Sequence, residues 1–251
     1  FGIVLKRDID MVYDELEMMR DRYGINHVML LDDDIFNGEK RTIEFFNGWA
    51  QRKLNITWDA SNGVIASAFT PNIARAVAES GCIALSFGIE SGNPEVLKNI
   101  PNPSGVRHYL QAGEIMKQYP QIFTKGLLMV GFPPEPERGF PGESIRMIWD
   151  TINLAKQMDL DWYTIQPLNF IPGVEITNHA LTRGEITKQE LIDGSERPVV
   201  GSTGKQDQRS KNEKNEAQPF INYLEGDLDR IPLREELIDI WFVMDYKVNY
   251  E

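Results

Sequence analysis

Short apolar segments alternate with amphipathic helical segments along this 251-residue chain. The predicted strands cover 27–31, 56–60, 82–87, 124–130 and 162–165. A helical pattern, such as that of residues 10–23, precedes or follows each of them. Parallel strands need a crossover long enough to hold a helix, so this alternation is typical of a parallel sheet. The sequence therefore predicts an α/β fold, either doubly wound or barrel-like.

Composition excludes several classes of protein. No apolar run approaches the roughly 18 residues that a membrane-spanning helix needs. The 26 Lys and Arg residues stand against 38 Asp and Glu, and a net charge of −12 argues against general binding to nucleic-acid phosphates. Cys82 is the one cysteine, so an internal disulfide is excluded and the thiolates of a metal cluster are missing. We expect a cytoplasmic protein without a membrane span.

Polar or glycine-rich residues follow each predicted strand. Ligands of parallel α/β folds bind beyond the carboxyl ends of the strands, which makes these residues candidates for one binding rim. The clusters cover 32–34, 61–62, 88–92, 131–135 and 166–169. We therefore expect the functional site at this end of the sheet.

Asp32, Asp33 and Asp34 form the most acidic of these clusters. Clustered carboxylates bind divalent cations, accept hydrogen bonds from a ligand amine, or cap a following helix. The sequence alone leaves all three interpretations open.

Two further clusters are suited to a nucleoside. Glu90 and Ser91 offer acceptors for ribose hydroxyls between two glycines, although a tight turn capped by Ser91 is the simpler interpretation. The segment 131–135 combines a glycine with a rigid diproline, which either presents a flat apolar surface to an aromatic base or simply ends the strand.

Other catalytic signatures are missing from the sequence. It contains neither a glycine-rich phosphate-binding motif nor a recognisable catalytic triad. His27, His108 and His179 are far apart and do not show ligand spacing, so no metal ligand is predicted.

Taken together, these segments resemble the core of a radical S-adenosylmethionine (radical SAM) enzyme, within the group that often carries an upstream cobalamin-binding domain. The matching segments are 23–25, 30–36, 80–92, 96–98, 126–135, 167 and 171–173. The resemblance implies an α/β fold of the radical SAM type, a partial (β/α)6 TIM-like barrel with the first strand largely missing. It also implies a core over 1–180. In the extension over 181–251, the polar composition of 201–218 predicts a mobile loop. A terminal amphipathic helix is predicted by the apolar stripe of Leu233, Leu237, Ile240, Met244 and Val248.

The resemblance further implies a binding site for S-adenosylmethionine. Asp32, Asp33 and Asp34 match the segment that contacts the methionine amino group, and Ser61 follows the next strand. Glu90 and Ser91 match the ribose-binding strand end. The matches to adenine contacts are Val130, Gly131, Phe132, Gln166 and Leu168.

The chain departs from the family in one respect. It lacks the Cys-x-x-x-Cys-x-x-Cys motif whose thiolates hold a 4Fe–4S cluster, and Cys82 occupies a different position. Truncation just downstream of that motif, with the cluster ligands upstream of Phe1, is favoured over a homologue that lost its cluster. We expect this fragment alone to be inactive.

For the intact protein, the resemblance implies reductive cleavage of S-adenosylmethionine, with cobalamin-dependent methyl transfer as one outcome on an unnamed substrate. A flavodoxin or ferredoxin would donate the electron. Two alternatives stay open. One is a metal-dependent α/β-barrel lyase or aldolase that uses Asp32, Asp34 and Glu90, and the other is a non-catalytic module that binds adenosyl compounds.

Overall fold

The computed structural model describes residues 6–32, 35–193 and 221–251. Asp33, Asp34 and the polar loop predicted at 201–218 lie outside the described residues. The chain divides into two compact units. The first comprises Phe1–Gly88 with Arg107–Gly126, and the second comprises Ile89–Val106 with Leu127–Glu251.

Five strands form one sheet in the order β1-β2-β3-β4-β5. They are β1 (His27–Met29), β2 (Thr57–Val64), β3 (Cys82–Glu90), β4 (Phe123–Val130) and β5 (Trp162–Pro167). The pairs β1/β2 and β2/β3 are parallel. The predicted α/β fold with a parallel sheet is confirmed, and each strand lies beside its sequence neighbour because a helix-bearing crossover joins them.

Helices alternate with these strands. They are α1 (Ile9–Tyr23), α2 (Glu39–Gln51), α3 (Pro71–Glu79), α4 (Pro94–Lys98), α5 (Val106–Met116), α6 (Ile145–Met158), α7 (Glu175–Arg183), α8 (Lys188–Asp193) and α9 (Leu237–Asn249). Local sequence explains several of the boundaries. Thr70 caps α3 by accepting the Ile73 N–H ahead of Pro71, and Gly24 ends α1 in the left-handed conformation.

Aromatic packing dominates the core of the first unit. The Trp58 ring is buried and stacks on Phe46 with 4.6 Å between the ring centroids. Its Nε1 donates to the Ser80 hydroxyl at 2.9 Å, so the buried polar atom is satisfied. Alternation along β2 then leaves Thr57 and Asp59 on the opposite, more accessible face of the strand.

Strand β2 is longer than the sequence predicts. The polar residues Ser61 and Asn62 indicated an end at Ala60, but the strand continues to Val64. The pairing with β3 resumes at Val64↔Phe87 after an irregularity in register. Ser61 therefore lies within β2 rather than beyond its end.

The second unit is organised around α6, α9 and β5. The α9 helix buries Leu237, Ile240 and Met244. The indole Nε1 of Trp241 donates to the Ile165 carbonyl at 2.8 Å, which fastens α9 to β5. The apolar stripe expected from Leu233 onward begins at Leu237, because Leu233 precedes the helix and is exposed.

Candidate functional site

The ends of β3, β4 and β5 lie in the second unit and carry most of the predicted site residues. Leu168 N–H donates to the Val130 carbonyl at 2.8 Å, which joins the exits of β4 and β5. Glu90 ends β3, the strand next to β4 in the sheet. The C-terminal ends of β3, β4 and β5 are therefore neighbours in the second unit.

Glu90 combines an unusual backbone with a carboxylate that lacks a partner. Its φ of 64° lies in the left-handed region, which is costly for a residue with a Cβ. Burial raises the pKa of its carboxyl above the ordinary value. No described residue donates a hydrogen bond to this side chain. Strain together with a partly buried, unpaired carboxylate is typical of a ligand-binding residue.

Ser91 has a different environment from Glu90. Its side chain is fully buried, and its hydroxyl lies 3.1 Å from the Thr151 hydroxyl on α6. The same Oγ accepts the Asn93 N–H at 3.1 Å, and Gly92 N–H donates to Thr151 Oγ1 at 2.8 Å. These contacts anchor the turn on α6 and thereby hold Glu90 in its strained conformation.

The exit of β4 is held by a carboxylate that the sequence did not indicate. Glu143 is 1% exposed, and its Oε2 accepts the Gly131 N–H at 2.6 Å and the Phe132 N–H at 3.3 Å. Its Oε1 is buried and has no hydrogen-bond partner among the described residues. Burial raises the pKa of this carboxyl to about 7, although the two backbone donors oppose the shift.

A near-repeat in the sequence is the one feature that could have indicated a role for Glu143. The residues Gly-Phe-Pro-Pro-Glu at 131–135 recur as Gly-Phe-Pro-Gly-Glu at 139–143. In the structure Glu135 and Phe140 form an antiparallel bridge, which folds the two copies together. Glu143, the glutamate of the second copy, thereby accepts hydrogen bonds from the Gly131 and Phe132 backbone of the first copy.

The buried Glu143 carboxyl predicts a distinctive pH dependence of stability. Its folded pKa of about 7 exceeds the ordinary 4.5, so the folded state binds more protons between these pH values. Its contribution to stability is therefore complete below pH 4.5 and is lost as the pH rises through 7, a change of about 3 kcal/mol. Urea unfolding at several pH values should show this decline in wild type and a smaller one in Glu143→Gln. The exposed Glu79→Gln should behave as wild type, and an identical decline in Glu143→Gln would contradict the assignment.

A cavity of about 220 Å³ lies next to this β4 exit. Its apolar and aromatic walls are typical of a small-molecule site. Gly131, Phe132 and Leu168 were predicted from the sequence and share this wall. The lining residues are Gly131, Phe132, Pro133, Pro134, Glu143, Leu168, Phe170, Glu185, Ile231, Pro232, Arg234 and Leu237. Gly131 has φ +88°, and a Cβ added to it would lie 2.6 Å from Leu237 Cδ1.

The remaining predicted residues lie in other positions. Val130 is fully buried and its carbonyl accepts the Leu168 N–H, whereas Gln166 is exposed on β5. In the first unit, Asp32 is exposed just after β1. Ser61 donates to Asp59 at 2.5 Å, and Asp59 lies 2.9 Å from His27 Nε2.

A cluster of charged side chains joins the connection after β4 to α7. Glu135 is 4% exposed, and its Oε2 lies 2.6 Å from His179 Nδ1 on α7. Arg183 donates to Glu135 Oε1 at 3.3 Å and to Glu137 at 3.2 Å. The hydrogen bond to Glu135 raises the pKa of His179 above its ordinary value. Because these partners are 44 or more residues apart, the contact could not be predicted from the sequence.

Comparison with known families assigns the chain. The radical SAM superfamily matches residues 2–155, which is more than half of the sequence. The chain belongs to the radical SAM superfamily. The family and the enzyme class predicted from the sequence are thereby confirmed, and the lyase or aldolase alternative is not supported.

Two curated relatives and one solved structure extend this finding. An uncharacterized methyltransferase of Pyrococcus horikoshii is 29% identical over 173 residues, covering 69% of this chain and 35% of the relative. The bacteriochlorophyllide d C-12(1)-methyltransferase of Chlorobaculum tepidum is 31% identical over 138 residues. This match covers 53% of this chain and 29% of the relative. The radical S-adenosylmethionine methyltransferase TsrM of Kitasatospora setae, solved with cobalamin and a 4Fe–4S cluster, has a similar fold. It matches with a TM-score of 0.60 at 14% identity, covering 71% of this chain and 34% of TsrM.

The chain spans about a third of the length of these curated relatives. Within the described residues, no helix is long and apolar enough to cross a membrane.

The residues of this chain do not fit the 4Fe–4S cluster of the family. Such a cluster is held by several thiolates, whereas the sequence contains Cys82 alone. Cys82 is buried, and this burial raises the pKa of its thiol. A buried, protonated thiol is a poor iron ligand.

Proposed function

We propose that this chain is the S-adenosylmethionine-binding part of a radical SAM enzyme, and that its second unit contacts the adenosyl group. Membership of the family supports the choice of ligand. The observation that carries the proposal is the Glu90 carboxylate, strained at φ 64° and without a described partner at the exit of β3. An ionised carboxylate is a strong acceptor for the two hydroxyls of a ribose.

The neighbouring residues have supporting roles in this proposal. Ser91 positions Glu90 through its buried bond to Thr151 rather than by contacting the ligand itself. The cavity wall formed by Phe132 and Leu168 offers an apolar surface to the adenine ring. Glu143 holds the Gly131 and Phe132 backbone, which fixes that wall. Val130 stays a predicted contact, although it is fully buried and its carbonyl accepts the Leu168 N–H, and Gln166 offers an exposed amide.

Asp32, Asp33, Asp34 and Ser61 are the proposed site residues of the first unit. We propose that Asp32, an exposed carboxylate shortly after β1, accepts an ammonium group. Ser61 stays a predicted contact, although its hydroxyl already donates to Asp59. Asp33 and Asp34 have the same proposed role and lie outside the described residues.

We further propose methyl transfer as the reaction of the whole protein. Two relatives are named methyltransferases, and TsrM, which shares the fold, was solved with cobalamin. S-adenosylmethionine supplies radical chemistry on reductive cleavage. The cluster thiolates and any cobalamin would come from outside these residues, and a cytoplasmic flavodoxin or ferredoxin would supply the electron.

Binding of S-adenosylhomocysteine tests the proposed role of Glu90. Saturation-transfer NMR on residues 1–251 should show transfer to the ribose and adenine protons. Glu90→Gln should weaken binding by about tenfold, because it removes a charge-assisted hydrogen bond. Glu95→Gln, an exposed change on α4, should leave binding unchanged. Equal affinity for wild type and Glu90→Gln, or no transfer to the ribose protons, would reject the proposal.

A further inference from the structure

Glu135, Glu137 and His179 form a cluster in the second unit that the proposed function does not use. One ligand atom from each of the three residues lies within 4.8 Å of the others. Glu135 and Glu137 belong to the connection between β4 and α6, whereas His179 lies on α7. The cluster is therefore a contact between two segments that are distant in sequence.

The charges in this cluster do not balance. Arg183 forms ion pairs with the carboxylates of Glu135, Glu137 and Glu185, and His179 faces the first two of them. Neighbouring Glu175 has its own partner in Arg138, at 2.5 Å. Three carboxylates thus face one guanidinium and one imidazole, so negative charge is in excess, and a divalent cation would compensate it.

We propose that Glu135, Glu137 and His179 bind a divalent cation of the zinc, cobalt or nickel type. One imidazole nitrogen with two carboxylate oxygens suits these borderline cations, whereas magnesium and calcium prefer oxygen ligands alone. The side chain of Glu135 is 5% exposed and forms the floor of the site, while those of His179 and Glu137 are 25% and 51% exposed. The cation can therefore enter from solvent, and a water molecule can complete its coordination.

The required rearrangement is small. His179 Nδ1 and Glu135 Oε2 are 2.6 Å apart, a hydrogen-bond distance. Ligands about 2.0–2.2 Å from a tetrahedral cation stand roughly 3.4 Å from each other, so these two atoms need to separate by less than about 1 Å. Arg183 can release Glu135 and Glu137, because it keeps two bonds to Glu185 at 2.6 and 3.1 Å.

Binding of this cation would fix the connection after β4 against α7. The same connection begins with Gly131 and Phe132, the residues proposed to contact adenine. The cation site itself needs neither S-adenosylmethionine nor an iron–sulfur cluster, so it is tested independently of the proposed function.

Titration of residues 1–251 with zinc, cobalt and magnesium chlorides tests this proposal. We expect one zinc ion per chain by calorimetry, and visible cobalt absorption that reports a nitrogen ligand. His179→Gln should weaken zinc binding by at least about tenfold. Glu137→Gln should also weaken zinc binding. Because Glu137 is exposed, this second variant should leave the melting temperature of the metal-free protein unchanged.

Two histidine variants serve as matched controls. His27→Gln removes the His27–Asp59 pair of the first unit, and His108→Gln alters α5, also in the first unit. Both variants should bind zinc as wild type does. Absence of zinc binding, an affinity unchanged in both His179→Gln and Glu137→Gln, or loss of binding in His27→Gln would overturn the proposal. Equal affinity for magnesium and zinc would overturn the assigned class of cation.

Discussion

Gly92→Ala is expected to destabilise the protein by about 3 kcal/mol, a large effect for a single methyl group. A Cβ at Gly92 would lie 2.5 Å from the Asp150 carbonyl oxygen and 2.6 Å from Thr151 Cα. These are backbone atoms of α6, so no side-chain rotation relieves the clash. The turn must separate from the helix, which breaks the Gly92 N–H bond to Thr151 Oγ1. Urea unfolding at constant pH measures the loss.

Gly105→Ala is the matched control for this prediction. A Cβ added at Gly105 meets no heavy atom within 4 Å. Its change in unfolding free energy should therefore stay within about 0.5 kcal/mol. Gly92→Ala should also weaken S-adenosylhomocysteine binding, because Glu90 precedes the displaced turn. Equal stability of the two variants would contradict the described packing of this turn on α6.

Anaerobic reconstitution of residues 1–251 with iron and sulfide is expected to give no stoichiometric 4Fe–4S cluster. The sequence offers one thiol, that of Cys82, which is buried and has a raised pKa. Iron and sulfide analysis with visible absorption measures the cluster. Chromatography after addition of S-adenosylmethionine and dithionite should detect no enzymatic 5′-deoxyadenosine.

Cys82→Ser supplies the control for this experiment. Adventitious iron should be the same in wild type and in the variant, because the buried thiol does not contribute to it. One cluster per chain in wild type, or formation of 5′-deoxyadenosine above the variant's background, would show that ligands other than a cysteine motif suffice.

Features set by neighbouring residues could be predicted from the sequence. The strand–helix alternation required a parallel sheet, and the cap at Thr70 with Pro71 marked the start of α3. The boundary of β2 was wrong because Ser61 and Asn62 read as a turn, whereas pairing with β3 keeps them in the strand. Sheet pairing thus overrode local preference.

The environment of each candidate side chain could not be predicted in the same way. Nothing in the sequence distinguished the accessible Glu90 from its neighbour Ser91, because the difference comes from the contact with Thr151, 60 residues away. The Glu135 contact with His179 arises from tertiary packing of the same kind. The role of Glu143 was detectable through its near-repeat, although a repeat does not indicate how deeply the side chain is buried.

The contact between α9 and β5 has a consequence for self-association. β5 is the last strand in the sheet order, and such edges offer free peptide groups to other chains. The Asn249 side chain accepts from Tyr163 N–H at 2.7 Å and donates to Tyr163 O at 2.9 Å, as a neighbouring peptide group would. Trp241 occupies the Ile165 carbonyl two residues further along. The protein thus blocks its own β5 edge with amide and indole groups, so this edge should not pair with a strand of another chain.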